Sequence, residues 1–311
     1  MIDMKKRIAG ALFGVAVGDA LGGPVEFMGP DQIAAKYGRL DSMIGGGWLS
    51  LAPGEITDDT QMTLCVAEGI VEAPDDPVPA IGRRFIEWAN ARPKDIGGAC
   101  AHSIHNAQRA GGASPNAEQW EQAAEATQRS TGRPVEGNGA LMRTVYPGLF
   151  YASRARVAEN AQRIAQMTHA GKRSTEACIL YTSMVHLLTA SESDTREQTQ
   201  REFLAAHVCA IPEYWVAAIN DTVAPASGGW VVDAMRIAVG SLATTGSFRE
   251  AVVTAVNLGG DADTNGAITG GLAGAWYGYD AIPADWISAL APEVREDLVR
   301  LTNAAYDARR E

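Results

Sequence analysis

Two short acidic segments, far apart in the chain, carry the residues best suited to chemistry: Thr57-Asp58-Asp59-Thr60 and Gly259-Gly260-Asp261-Ala262-Asp263-Thr264. Each precedes a stretch of helical character. One reading of each is therefore local: a threonine N-cap, with aspartates placed at the positive end of a helix. The other reading takes them together. Each segment supplies two carboxylates and a threonine hydroxyl, hard oxygen donors with no His or Cys among them. An oxygen-only set favours Mg2+ or Mn2+, with Ca2+ as a further option, over zinc. Two unit charges about 4 Å apart interact by roughly 4 kcal/mol at an effective dielectric near 20, so four converging carboxylates require protons or cations between them. Two Asp pairs suffice to hold two ions about 3.5–4 Å apart, the usual two-metal spacing.

Convergence has to come from the elements that carry these segments. Gly10, Gly14 and Gly18 recur every fourth residue in the apolar run from Ile8 to Leu21 and so share one helix face. That stretch, GALFGVAVGDALGG, is echoed near the other end by GAITGGLAGAWYG. Two such smooth helices either simply pack at the centre of a bundle, or by packing there bring the acidic segments to one place. Helical periodicity continues elsewhere: an apolar stripe of Met62, Cys65, Val66 and Ile70, a helix opened by Pro77 and ended before Pro93, and helices near 98–110, 116–129, 139–152, 154–168 and 173–190. Ser247 and Glu250 have capping-box spacing for a helix to about Asn257, and the last helices begin near Asp263, Ala284 and Pro292. No series of alternating apolar and polar residues announces a sheet. The stretches 24–55, 131–138 and 224–229 read as short linkers. The expectation is an all-α fold, a single domain over 1–311 built as a compact orthogonal multi-helix bundle.

Composition narrows the function classes. The 311 residues carry a net charge of −11, which argues against broad binding to nucleic acid or an anionic membrane surface. Glycine is abundant at 33 residues, consistent with close backbone packing. The four cysteines, Cys65, Cys100, Cys178 and Cys209, form no Cys-x-x-Cys pair, which suits a reducing compartment better than a disulfide framework or a zinc site. The N-terminal apolar run is shorter than the roughly 20 residues of a membrane span and is followed by Asp19 rather than a cleavage site. A cytoplasmic protein without a membrane span, and a monomer by default, is expected.

Five motifs then occur in order: GALFGVAVGDALGGPVEFM, ITDDTQM, GNGALMR, the Thr168-His169 pair and GGDADTNGAITGGLAGAWYG. In this set the chain resembles the ADP-ribosylglycohydrolase family, most of all its bacterial branch, the dinitrogenase reductase-activating glycohydrolases. The resemblance implies an all-α hydrolase with a central cleft holding two divalent cations, Mg2+ or Mn2+. Such an enzyme removes ADP-ribose from a modified side chain, typically arginine, of a target protein that in this branch is dinitrogenase reductase. It further implies Thr57, Asp58, Asp59, Asp261, Asp263 and Thr264 as metal-binding residues, Asp95 as a catalytic carboxylate and Glu26 as an acid at the rim of the metal centre. Gly97, Asn138, Gly139, Met142 and His169 would contact the ADP-ribose. Trp230, where relatives tend to carry Tyr, would stack on adenine.

Without the resemblance, Glu26 and Asp95 read as loop carboxylates, and GNGALMR as a turn into a helix whose free N–H groups suit a pyrophosphate. Arg143 then reaches either a phosphate or a nearby acid. The chain departs from the family pattern at Gly98, where relatives tend to carry Asn, and at Ala170-Gly171 after the Thr-His pair. His102, His105, His186 and His207 acquire no role. Serine-linked ADP-ribose or O-acetyl-ADP-ribose as substrate, and ADP-ribose binding without turnover, are the competing readings.

Overall fold

The computed structural model describes residues 2–190 and 227–310. Cys209, His207 and the first part of the expected 224–229 linker lie outside the described residues. The fold is all-α. Among the described residues the extended pairing amounts to two isolated bridges, Gly46 with Leu51 and Gly137 with Trp230.

Two helices form the axis, Met4–Gly22 and Ala262–Tyr277, and nearly every residue of both is buried. Neither has a polar face, as befits helices surrounded by protein on all sides. They cross at contact distance because the facing positions lack side chains. A Cβ added at Gly10, Gly14 or Gly18 would lie 2.3, 2.1 and 2.1 Å from the carbonyl oxygens of Gly274, Gly270 and Gly266. Added on the other helix at Gly274, Gly270 or Gly266, it would meet the oxygens of Gly10, Gly14 and Gly18 at 1.9, 2.0 and 2.3 Å. No side chain fits there, so the repeated glycines of the two echoed segments are one interlocking seam. Buried Arg7 closes one end of it by donating from Nη1 to the carbonyls of Ala275 (3.1 Å) and Trp276 (2.7 Å), which lie in the last turn of the partner helix. The stretch Met4–Val25 is apolar and long enough to cross a membrane, but an 18-residue window within it is 94% buried inside the protein, as for a core helix.

Around this axis pack Asp58–Glu72, Lys172–Ala190, Val231–Thr244, Phe248–Asn257 and Pro292–Ala308. Outside them Val78–Asn90, Gly98–Gly111 and Ala117–Thr131 continue the bundle. Three local expectations differ from what is found. The helix expected over 139–152 is a 3-10 turn, Asn138–Arg143, followed by the short helix Tyr146–Phe150. Pro147 is the cause: its ring and missing N–H cannot continue a helix begun at Asn138. The 24–55 stretch is not all linker, for Pro30–Tyr37 is helical, opened by its own first-turn proline and stopped at Gly38 with φ 69°. Helix Val231–Thr244 has no counterpart in the sequence reading. At Phe248–Asn257 the expected cap is present in half: the Ser247 hydroxyl accepts from the Glu250 N–H at 3.2 Å.

Candidate active site

The glycine seam sets Asp19, one residue past Gly18, against the start of Asp58–Glu72. The buried Asp19 carboxylate accepts from the backbone N–H groups of Thr57 (3.0 Å) and Thr60 (3.1 Å), and from both threonine hydroxyls. The helix is therefore capped by a side chain from another helix. Thr57 occupies the N-cap position but makes no capping bond with its own side chain. With that work done by Asp19, Asp58 and Asp59 are left to face the cleft. Sequence reasoning passed over Asp19, which reads as the charge that merely ends an apolar run. The available signal was its place beside the smooth face of a fully buried helix.

The two acidic segments do converge. Asp59 Oδ2 accepts from the hydroxyls of Thr57 (3.2 Å) and Thr264 (3.3 Å), the latter from the opposite end of the chain. Carboxylate oxygens of Asp19, Asp59 and Asp263 lie within 4.8 Å of one another, and so do those of Glu26, Asp261 and Asp263. Asp263 belongs to both groups. Asp58 Oδ2 accepts from the Gly97 N–H at 3.3 Å, and Asp261 Oδ2 accepts from Asn138 Nδ2 at 2.8 Å. The Glu26 loop is laced to the second segment by Phe27 N to Gly260 O (2.6 Å) and Gly260 N to Met28 O (2.8 Å). Gly260 is required there: its φ is 65°, and a Cβ would sit 2.0 Å from Ser227 O.

Electrostatics marks this cluster as incomplete. Burial, then the charges of Asp95 and Asp19, pushes Asp58 up to about 8. Burial, then Asp95 and Asp261, pushes Glu26 up to about 7 against the Trp48 hydrogen bond. Asp59 and Asp263, fully buried and facing other carboxylates, are raised well above the ordinary carboxylate range. Burial brings Asp19 to about 6 even though four hydrogen bonds oppose the shift. Asp95, half-buried, is raised by burial while its Oδ1 accepts from the Ile96 N–H at 2.8 Å. Among the described residues none of these carboxylates is paired with a Lys or Arg. Asp59 Oδ1 is buried without any hydrogen-bond partner. A stranded carboxylate oxygen, surrounded by further carboxylates and hydroxyls, fits a hard cation; it does not fit a self-sufficient hydrogen-bond network.

The cluster forms the floor of a cleft of about 410 Å³ whose walls include Phe27, Trp48, Gly97, Asn138, Gly139, Met142 and His169. Of the residues expected in the site, Thr57 and Trp230 are absent from this lining: Thr57 lies behind it, its hydroxyl on Asp19 and Asp59, and Trp230 stands apart. Its main chain pairs with Gly137 while 45% of the residue is exposed. Arg143 is not part of this lining and meets no acid among the described residues. It is wholly buried, stacks on Phe85 (5.0 Å to the ring centre), and donates to the Gly139 carbonyl (2.9 Å), the Ile164 carbonyl (3.1 Å) and the Thr168 hydroxyl (2.7 Å). The Thr168 hydroxyl in turn lies 2.7 Å from His169 Nδ1. Arg143 can only donate, so the arrangement that strands no proton has Thr168 donating to Nδ1 and the ring proton on Nε2. Burial, with the Arg143 charge, lowers His169 to about 3 and keeps the ring neutral. His169 thus offers one N–H at the cleft, and its Nε2 would lie 3.3 Å from a Cβ on Gly137.

Comparison with known proteins agrees with this frame. The family model for ADP-ribosylglycohydrolase matches residues 1–311. The ADP-ribosyl-[dinitrogen reductase] glycohydrolase of Rhodospirillum rubrum is 34% identical over 303 residues, spanning 96% of this chain and 95% of that protein. ADP-ribosylarginine hydrolase Tri1 of Serratia proteamaculans is 31% identical over 300 residues, 93% of this chain and 76% of that one. A solved structure described as an ADP-ribosylglycohydrolase-related protein complex superposes with a TM-score of 0.82 at 29% identity, covering 99% of this chain and 100% of its own. With that match running over its whole length, and with a helical frame that gathers both acidic segments at one cleft, the chain belongs to the ADP-ribosylglycohydrolase family.

Proposed function

We propose that this protein is a metal-dependent hydrolase that releases ADP-ribose from modified arginine side chains of a target protein. A dinitrogen reductase, named in the R. rubrum relative, is one such target. The observation that carries the reading is the unpartnered, buried Asp59 Oδ1 inside a carboxylate cluster that, among the described residues, has no cationic side chain to balance it. Thr57, Asp58, Asp59, Asp261, Asp263 and Thr264 would hold two divalent cations, Mg2+ or Mn2+. Asp19 fixes the first of these segments from behind. Bound there, such cations supply Lewis acidity and a template for the ribose diol oxygens.

The protein's own groups do the rest. The bond to be cleaved joins ribose C1″ to a guanidinium nitrogen, and carboxylates at the two sides of such a bond divide the tasks of proton transfer and positioning. Glu26, steadied by Trp48 Nε1 at 2.6 Å, is assigned to position water or the ribose diol at the edge of the carboxylate cluster. Asp95 presents a half-buried carboxylate on the loop before Gly98–Gly111, tethered through one oxygen, and is assigned proton exchange with the ribose or the departing guanidine. Asn138, anchored on Asp261, and Gly97, Gly139, Met142 and the His169 Nε2–H line the path of the ADP-ribose. The free thiols of Cys65, Cys100 and Cys178 are in keeping with a reducing cytoplasm.

The test is release of ADP-ribose from an ADP-ribosylarginine peptide with Mn2+ or Mg2+, after chelation, and with Asp95→Asn. Turnover is expected only with metal. The variant should lose about 100-fold or more in kcat while metal analysis still finds two ions per chain. Turnover by Asp95→Asn near the wild-type rate, with metal bound, would remove the assigned role. Release from serine-linked but not arginine-linked substrate would overturn the substrate class.

A further inference from the structure

Two large aromatic rings stand at the mouth of the cleft with no packing reason to be there. Phe27 is 68% exposed and Trp48 54%, and neither belongs to the hydrophobic core. Both are held in place. Phe27 has φ 64°, a left-handed conformation uncommon for a bulky residue, fixed by its N–H to Gly260 O at 2.6 Å. Trp48 donates from Nε1 to Glu26 Oε2 at 2.6 Å, which sets the plane of the indole. The ring centres are 5.6 Å apart and the planes tilted by 40°, so the pair opens as a wedge. The same cleft wall carries Glu26, Asp58, Asp95 and Asp261. Electron-rich ring faces inside an acidic field attract a planar cation, and guanidinium is the side-chain cation that stacks best.

We infer that Phe27 and Trp48 receive the guanidinium of the ADP-ribosylated arginine and so select for arginine-linked substrate. The inference rests on the reading under Proposed function, which puts the distal ribose at the carboxylates and therefore the modified side chain next to Glu26. Adenine, the other planar group of the substrate, lies a pyrophosphate and a second ribose away from that ribose, on the far side from the bond to be cut. The wedge beside Glu26 is at the reactive end.

The experiment compares wild type, Phe27→Leu and Trp48→Phe in Mn2+, with two readouts: kinetics on ADP-ribosylarginine, and the inhibition constant of free ADP-ribose, which lacks the guanidinium. Phe27→Leu should raise KM for ADP-ribosylarginine about fivefold to tenfold and leave the ADP-ribose constant within twofold. Trp48→Phe keeps a ring but drops the bond to Glu26, so it should act chiefly on kcat. Equal weakening of substrate and ADP-ribose by Phe27→Leu would make the wedge an adenine or ribose platform and overturn the inference, as would no change in either. Wild type without activity on ADP-ribosylarginine would instead refute the proposed function, and that result is read before either variant is considered.

Discussion

Replacing Gly18 by Ala adds one methyl where none fits. Its Cβ would stand 2.1 Å from Gly266 O and 2.5 Å from Gly266 C, whereas ordinary contact begins near 3.4 Å, so the helices must part by about 1.3 Å at that point. The atoms it would meet are backbone atoms on a buried helix, which no rotamer change can relieve. Overpacking of this sort costs about 3 kcal/mol. For a chain of 311 residues, that is a fall in melting temperature of about 5 °C. Position 18 is next to Asp19, and Gly266 lies three residues past Asp263, so the displacement falls on the carboxylate cluster itself. Gly10→Ala makes an equivalent clash, 2.3 Å from Gly274 O, at the far end of the seam. Thermal unfolding with and without saturating Mn2+ should therefore separate them. Both variants melt early, Gly10→Ala keeps most of the metal-induced rise, and Gly18→Ala loses most of it. Gly18→Ala melting like wild type with an undiminished metal response would refute both the rigidity of the seam and its part in assembling the site.

Two further outcomes follow from the charges. Asp58 and Glu26, pushed up to about 8 and about 7, hold protons in the folded chain that the unfolded chain has already released. Folding stability of the metal-free protein must then fall as pH rises through that window. Calorimetry in chelator should show a higher melting temperature at pH 6 than at pH 8, and Mn2+ should stabilise more at pH 8; a flat profile in chelator contradicts the account. His169 acts in the opposite direction at lower pH: the unfolded ring binds a proton near 6.5, the buried ring only near 3, so stability is lost as pH drops below 6.5. At pH 4.5 the difference is about 3 kcal/mol, and His169→Gln should remove most of that loss in acid denaturation curves.

The sequence was legible where residue type alone states a chemistry. Both acidic segments, Glu26, Asp95, Asn138 and His169 meet at one cleft, and the glycines at 10, 14 and 18 do share a contact face. Legibility failed where the partner, not the residue, decides the role. Asp19 looks like the end of an apolar run until the helix it caps is brought alongside. Arg143 could be read toward phosphate or acid, yet its partners are carbonyls, Thr168 and the Cys100 sulfur, chosen by a burial that no local pattern reveals. Phe27 and Trp48 belong to no periodic pattern. Only their exposure beside Glu26 sets them apart, and exposure is a property of the fold. Tyr146–Phe150 shows the converse, because Pro147 was visible and its interruption of the expected helix follows from ring geometry alone.

The seam between Met4–Gly22 and Ala262–Tyr277 also orders events during synthesis. The first helix leaves the ribosome long before its mate exists, with an apolar surface and a naked stripe of backbone that only that mate can cover. Until the later helix arrives, Asp19 and Asp59 have no Asp263 to face, and the pocket has no floor. Reactivity is thus withheld from every unfinished chain and appears when the two ends close on each other.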